Sequence, residues 1–552
     1  MKKGLFVLAS FAYLLASCGD NSTPHDTSGL DSTALAAINL ESYKSHVETL
    51  ASDEFLGRKP FTKGDTLTIN YIEEQFKKIG LAPGNGSSYF QEVPLVAITS
   101  TPAVSELSFT GSAGSLSAKY LDEYVIGSSR LVENIDVAST ELVFAGFGIV
   151  APEYGWNDYE GLDVKGKTVV VMVSDPGRYD ANLFKADTMT YYGRWRYKFE
   201  EAGRQGATGI LLIHETGAAS YGWEVVRNGW SGPQLYLDTE DADTPMPEFE
   251  GWVSNEIAHR LFEIGGLDPQ LMEEAKKPGF KAVPMNVTTG VKITNTFRRA
   301  TSNNVIAKIE GTKRPDETII YTAHWDHMGV GEAVDGDSIY NGAIDNAAGV
   351  AALFEIAKAF KAAQVKPERT IVFLAVTAEE EGLLGSSYYA NNPIYPLNKT
   401  VANLNMDAFS ALGETKDVSI VGIGQTEIED YVERSAAKFG RTVQGEKNPS
   451  SGGFYRSDHF NFVKKGVPGL FMGSGSELVS TDTVAIAARR EALSGRYHTV
   501  HDELDENWDF SGIMADMKLF FDIGYTMSME KTFPQFKEKS EFRSLGEKRL
   551  AK

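Results

Sequence analysis

Five short segments in the second half of the chain carry histidines and carboxylates together. His324 and Asp326 lie in YTAHWDH, Asp345 in GAIDNAAG, Glu379, Glu380 and Glu381 in AEEEGLLGS, Asp407 in NMDAF, and His498 in YHTVHDELD. Imidazole nitrogens and carboxylate oxygens are ligands that zinc accepts, and a catalytic zinc site keeps one position open for water. A carboxylate has two oxygens with which to bridge two cations. Of two adjacent acids, one can bind metal while its neighbour takes the proton of the attacking water. An imidazole that binds metal also wants its other ring nitrogen held, and Asp326, two residues beyond His324, is placed to do so. The chain has a single cysteine, Cys18, so neither an intramolecular disulfide nor a site built from several thiolates can form.

These groups need strands to deliver them. From about residue 304 the pattern alternates between a strand at 318–323, an Ala-rich helix at 346–363, and strands at 370–376 and 401–406, the signature of an open α/β sheet. In such sheets ligands gather at the carboxyl ends of the strands. The three strands run into His324, Glu379 with Glu380, and Asp407, and Asp345 opens a helix, where the dipole favours a carboxylate. Taken singly, a His or Asp at a strand end is an ordinary capping group and a glutamate triplet a solvated face. Those readings do not explain why all of them converge on one predicted edge. Upstream, 66–79 has helical apolar spacing and stops at Gly80. The stretch 100–292 is mostly β, with strands at 141–150 and 168–173 and a helix at 197–205.

The remaining features bound the class. A chain of 552 residues is expected to form two or more folded units. Its formal charge of −22 argues against nucleic-acid binding, which needs clustered Lys and Arg. The opening MKKGLFVLASFAYLLASC has a basic start and a short apolar run, as a secretory signal does. Its end, from Leu15 to Cys18, resembles a bacterial lipobox. The predicted order is a signal peptide at 1–17 and a lipidated, flexible tether at 18–38, with the protein exported to the cell envelope and held on a bacterial membrane through Cys18. GLDVKGKT at 161–168 satisfies a phosphate-loop pattern, but a β-rich run starts at its Thr where a helix is required, so no nucleotide site is expected. With no GxSxG and the only Cys at the anchor, serine and cysteine hydrolase readings lack their nucleophile signature. Ser457, Asp458 and His459 are consecutive and point in different directions, so they form no triad among themselves.

The segments AHWDH, NGAIDNAAGVAALFE, AEEEGLLGS, NMDAF, RSDHFNFVKKGVP and YHTVHDELD, in this order, resemble the motifs of the M28 zinc metallopeptidases, the dinuclear aminopeptidases related to glutamate carboxypeptidase and the transferrin receptor. LASDEFLGRKPFTKGD and GLAPG resemble that family's opening, and VFAGFGIVAPEYGWNDYEGLDVKGKTVVVMVSDPG with AGRQGATGILLIH resembles the protease-associated domain inserted in many such enzymes. The resemblance implies an open, mixed, mainly parallel sheet flanked by helices. The peptidase domain would be discontinuous (39–99 plus 293–530), with the insertion at 100–292 and a tail at 531–552 docked loosely. It implies two Zn2+ per chain, one on His324 and Asp407, one on Glu380 and His498, with Asp345 bridging. Glu379 would be the general base, Asp326 would orient His324, and the peptide after Asp345 would be cis. Ser457, Asp458 and His459 would bind substrate or support the ligands, or be structural; His327 and His501, close to ligands in the sequence, read as ligand-supporting or structural, with His501 the rival of His498. Glu381 has no implied role. Residues 452–455 and the pair Tyr388 and Tyr389 line a specificity pocket or belong to the core. The implied substrates are peptides shortened from the amino end. A carboxypeptidase-like enzyme, a glutaminyl cyclase-like enzyme with one zinc, and a non-catalytic binding protein are the alternatives on the same scaffold.

Overall fold

Runs of apolar, largely β-branched residues separated by helices bury both faces of a strand and so favour parallel neighbours. In the computed structural model of the chain, which describes residues 30–239 and 245–551, seven such runs form the central sheet. They are β1 (Val283–Ile309), β2 (Arg314–His324), β3 (Arg369–Val376), β4 (Thr400–Asn405), β5 (Asp417–Ile420), β6 (Thr442–Gly445) and β7 (Gly469–Ser474). Their order is β1-β3-β2-β4-β7-β5-β6, parallel across β3, β2, β4 and β7, with β1 antiparallel to β3 and β5 antiparallel to β7. The chain leaves β2 for β3 on one side and comes back to β4 on the other. That reversal opens a crevice at the carboxyl edge of β2. Register aligns the edge, with His324 opposite Val376 and Thr322 opposite Asn405.

Helices α1 (Lys63–Ile79), α2 (Ala348–Ala362) and α3 (Ser511–Met529) share the main core with one face of the sheet, and Leu384–Asn391 and His459–Lys464 pack against the other. The Thr62 hydroxyl caps α1 by accepting from Gly64, and Gly80 ends it in the left-handed conformation at φ 78, so the helix starts three residues before its apolar periodicity. The expected helix at 346–363 becomes regular only at Ala348, because 343–347 form a wider turn containing a cis peptide between Asp345 and Asn346. The small residues of α2 let it lie close to the strands. Its Phe360 packs edge-on to Phe521 of α3 at 4.9 Å between ring centres, and each such buried ring contributes about 1.5–3 kcal/mol.

The middle stretch is tied to this unit by a ribbon. Strand Phe90–Pro102 pairs antiparallel with β1, from Phe90 opposite Val305 to Pro102 opposite Ile293. Both expected domain junctions, at 99/100 and 292/293, therefore fall inside one continuous pair of strands. Beyond the ribbon, β1 pairs with Asn134–Phe144 and Glu106–Gly111. A parallel trio, Thr168–Met172, Gly209–His214 and Phe249–Ser254, completes the mostly β arrangement. The strand expected at 141–150 ends at Phe144, where Gly146 and Gly148 take positive φ. The helix expected at 197–205 is Trp195–Arg204. GLDVKGKT leads directly into a strand.

Two expectations fail at the ends. The tether was taken to reach residue 38, yet Ser32–Ala36 is helical, Asp31 caps it, and Ala34 and Ile38 are buried. Asp31 also accepts from the main-chain N–H of Gln364 just beyond α2. The polar composition concealed two well-spaced apolar anchors. The tail at 531–552 is firmly packed: Phe536 and Phe542 are buried, and Arg549 donates to the carbonyls of Leu397 and Thr400. Cys18 and the signal segment lie outside the described residues. Among the described residues no helix is long and apolar enough to cross a membrane.

Candidate metal centre

The end of β2 delivers His324, fully buried. Its Nε2 lies 3.1 Å from Asp345 Oδ1 and 3.0 Å from Asp407 Oδ1. His498 approaches the other face, with Nε2 3.1 Å from Asp345 Oδ2 and 3.0 Å from Glu380 Oε2. Asp345 thus turns one oxygen to each imidazole, between two half-sites. All five residues named from the sequence as ligands meet at the carboxyl edge, and Glu379 joins His324 and Asp407 in one group of converging donor atoms.

Main-chain contacts set this geometry. The Asp326 carboxylate accepts from the N–H of Glu379 at 3.0 Å and of Glu380 at 3.3 Å, fixing the loop after β3. Asp326 also meets the His324 ring, its main-chain oxygen lying 3.1 Å and its carboxylate 3.8 Å from Nδ1. Ser457 donates to Asp407 Oδ2 at 2.5 Å and accepts from Asn405. Asp458 is buried, and His459 sits between Phe454 and Phe471, at 4.8 and 4.9 Å between ring centres, which makes it part of the core beneath the site. Tyr389 is likewise core, and Glu381 pairs with Lys59 at the rim.

Three contributors stood outside the ligand set drawn from the sequence. His327 Nδ1 lies 2.5 Å from Glu380 Oε1, so it competes with His498 for the second half-site. His498 meets both Asp345 and Glu380, while His327, in close contact with Glu380, also has its donor nitrogen within 4.8 Å of the donor oxygens of Asp345 and Glu380, so the two histidines converge on one half-site. Asp502 accepts from the N–H groups of Ile344 and Asp345 at 3.1 and 3.0 Å and so aims the bridging carboxylate. Arg58, buried, donates to the carbonyls of Leu50, Trp325, Asn341 and Gly342 and gathers the loops behind the site. Asp502 and Arg58 both lie within the quoted segments YHTVHDELD and LASDEFLGRKP. Nothing in a linear motif says which of its polar residues face the backbone.

The electrostatics are those of a site short of positive charge. Burial works against a charged His498, yet Asp345 and Glu380 outweigh it and raise the imidazole to about 10. Burial opposes the charge on His324 too, and Asp407, Glu379 and Asp345 hold it well above the ordinary value. Glu380 is destabilised by burial and by Asp345, but hydrogen bonds from His327 and His498 bring it down to about 2. Glu379 is pushed well above the carboxylate range, first by burial and then by Asp407 and Glu380, with His324 working the other way. Desolvation raises Asp326 to about 8. Carboxylates do not crowd into a buried edge without a compensating cation.

The donor set fits two zinc ions. Tetrahedral zinc with bonds of about 2.0–2.1 Å has ligand atoms roughly 3.3 Å apart, close to the 3.0–3.1 Å separations around both half-sites. Each half-site offers one nitrogen and carboxylate oxygens, with Asp345 shared.

Fold and site together define a mainly parallel α/β protein with a paired histidine–carboxylate centre at its strand ends. Residues 304–521 match the profile of Peptidase family M28. The chain is similar to a probable zinc metalloprotease of Pyricularia oryzae, 33% identical over 140 residues, 25% of this chain and 24% of that protein. It is also similar to aminopeptidase NAALADL1 of Mus musculus, 28% identical over 262 residues, 41% of this chain and 31% of that one. The chain thus spans about a quarter to a third of the length of these curated relatives. Among solved structures, an aminopeptidase from Aneurinibacillus sp. strain AM-1 aligns over 91% of this chain and 97% of its own, at 18% identity and TM-score 0.49. A zinc aminopeptidase from Bacillus subtilis aligns over 91% and 98%, at 17% identity and TM-score 0.40.

Proposed function

We propose that the protein is a dinuclear zinc aminopeptidase that hydrolyses amino-terminal residues from peptides. The observation that carries this reading is Asp345, with one oxygen 3.1 Å from His324 and the other 3.1 Å from His498. His324 and Asp407 would hold one zinc, Glu380 and His498 the other, and Asp345 would bridge them. When bound there, zinc supplies Lewis acidity toward a water and the scissile carbonyl. Glu379 takes the proton of the attacking water and passes it to the leaving amine. Glu379 converges with His324 and Asp407, beside the half-site whose water it would deprotonate. Asp326 keeps Glu379 and Glu380 on separate tasks by clamping both of their N–H groups.

In the same reading residues 39–99 and 293–530 form the peptidase unit and 100–292 a protease-associated insertion. The chain is exported and held on a bacterial membrane by lipid at Cys18. Support for amino-terminal cleavage comes from the family of residues 304–521 and from the aminopeptidase among the relatives. The test is hydrolysis of matched peptides with free amino ends, acetylated amino ends and amidated carboxyl ends, with and without a chelator. Free-amine peptides should be cleaved and the chelator should abolish it. Cleavage of acetylated peptides from the carboxyl end would sink the aminopeptidase reading and leave the metal centre standing.

A further inference from the structure

The metal centre occupies the carboxyl edge of the sheet, and the opposite edge has a different character. Strands β2, β3, β4 and β7 begin there, and the helices end there. Lys361 in the last turn of α2 donates to the carbonyl of Gly80 beyond α1, and Arg369 at the start of β3 donates to Met527 in the last turn of α3. The first described residues reach the same edge, where Asp31 accepts from the N–H of Gln364 just past α2. So does the tail. The carbonyls of Lys531 and Thr532 accept from Arg369, and Arg549 donates to Thr400 at the start of β4.

This amino edge is basic in a chain of net charge −22, and from Lys531 to Lys552 the tail has seven Lys or Arg against three Glu. Lys537 and Arg549 are engaged inside the fold, by Glu429 and by main-chain carbonyls. Lys531, Lys548 and Lys399, which leads into β4, are exposed and make no ion pair among the described residues. Lys366 is exposed beside them and donates to the carbonyls of Lys361 and Ala363. The carboxylates nearby are largely neutralised: Glu368 by Lys313 and Arg314, Glu317 by Arg369, and Glu547 by Arg543. Asp316 and Glu538 are left exposed without a cation among the described residues, against four lysines. Helix carboxyl ends attract cations, which accounts for Lys361 and Lys366. Lys531 lies outside any helix and Lys399 on a single turn, so that attraction does not place them.

Asp31 follows Cys18 by thirteen residues. That length spans at most about 45 Å, less than the roughly 60 Å breadth of a globular chain of this size. A lipid at Cys18 therefore cannot leave the amino edge turned fully away from the bilayer. The potential of an anionic leaflet fades within about 10 Å, so it acts on the edge brought against it. Resting on the reading of a lipid at Cys18, we propose that the amino edge, through Lys366, Lys399, Lys531 and Lys548, docks on an anionic phospholipid bilayer. The metal centre, at the other edge, then faces away from the membrane.

The test is acetylation of the lipidated full-length protein on vesicles of phosphatidylcholine and on vesicles with one-third phosphatidylglycerol, read lysine by lysine by mass spectrometry. On the anionic vesicles Lys399, Lys531 and Lys548 should react about fivefold more slowly, the scale of one cation at an anionic surface, and high salt should remove the difference. Lys292, on the ribbon beyond the carboxyl edge, should react alike on both. Lys399→Glu, Lys531→Glu and Lys548→Glu together should leave peptide hydrolysis in detergent unchanged and abolish the slowing at Lys366. Should that variant misfold, the footprint of the unsubstituted protein decides by itself. Equal reactivity on the two kinds of vesicle, or slowing that includes Lys292, would overturn the proposal. Slowing already present in detergent would assign the edge to a second copy of this acidic chain and overturn it too. Protein that leaves neutral vesicles would refute the lipid at Cys18 alone. Protein that stays on them, with its lysines freely reactive on anionic ones, would refute the docking surface alone.

Discussion

In the proposed mechanism, the chemistry rests on a division of labour between two adjacent glutamates. Asp326 holds both of their N–H groups, yet Glu380 is engaged by His498 and His327 while Glu379 is turned toward His324 and Asp407. Glu379→Gln should therefore keep its metal and lower kcat by about 10²–10⁴-fold, the range for loss of a general base. Turnover near the unsubstituted rate with full metal content would remove Glu379 from that role. The two histidines at Glu380 make a second distinction. His498→Ala should drop zinc to about one per chain, whereas His327→Ala should weaken the second site by about 10–100-fold and still fill it at high zinc, as support residues do. Metal analysis across a zinc titration reads the difference. The opposite pattern would make His327 the ligand.

At the scale of elements, strands β2, β3 and β4 do the positioning, and they were the most legible part of the sequence. Each is a buried, largely apolar run that leads within a few residues to the group it delivers, although β4 also carries Asn403 and Asn405, so composition located both the strand and its group. The turn from Asp345 to Ala348 was harder to place, because its conformation depends on Asp502, some 157 positions away in the chain. Asp326 meets the His324 ring through its main-chain oxygen while its carboxylate holds the loop after β3, and nothing local in the sequence separates those two roles. His459 looked polar in RSDHF and is instead packed between two phenylalanines of neighbouring segments. That burial lowers its pKa from 6.5 to about 3. The unfolded chain then takes up a proton below pH 6.5 that the folded chain refuses until about pH 3, so stability must fall as pH drops through this window. With the unfolded imidazole already half protonated at pH 6.5, a slope of at most about 1.4 kcal/mol per pH unit gives His459 a cost of roughly 2 kcal/mol between pH 6.5 and 4.5. Urea denaturation at the two pH values should show a smaller loss for His459→Gln by about that amount. An equal loss in both proteins would contradict the buried neutral imidazole.

Over the whole molecule, segments distant in sequence close around one edge. The tail shows how polar composition hides such packing: among its charged residues, Phe536 and Phe542 are buried and Glu541 accepts from Tyr455 on the peptidase unit and from the main chain of Tyr191 in the middle stretch. Removing residues 531–552 exposes the surface those two rings cover and should cost about 3–6 kcal/mol, seen as a lower Tm. An unchanged Tm would mean the tail merely rests on the fold. The ribbon of Phe90–Pro102 with β1 likewise makes the middle stretch continuous with the sheet, which brings Arg196 to the loop of Glu379 and Glu380, where it donates to the carbonyl of Gly382. All of this converges on Asp345 as the bridge of a two-cation centre, and the most direct measurement of that claim is zinc bound per chain in purified protein, alongside Asp345→Ala. The account predicts two zinc ions per chain, with both half-sites weakened together by the single substitution. One zinc in the unsubstituted protein, or an Asp345→Ala protein that still holds two, would contradict it.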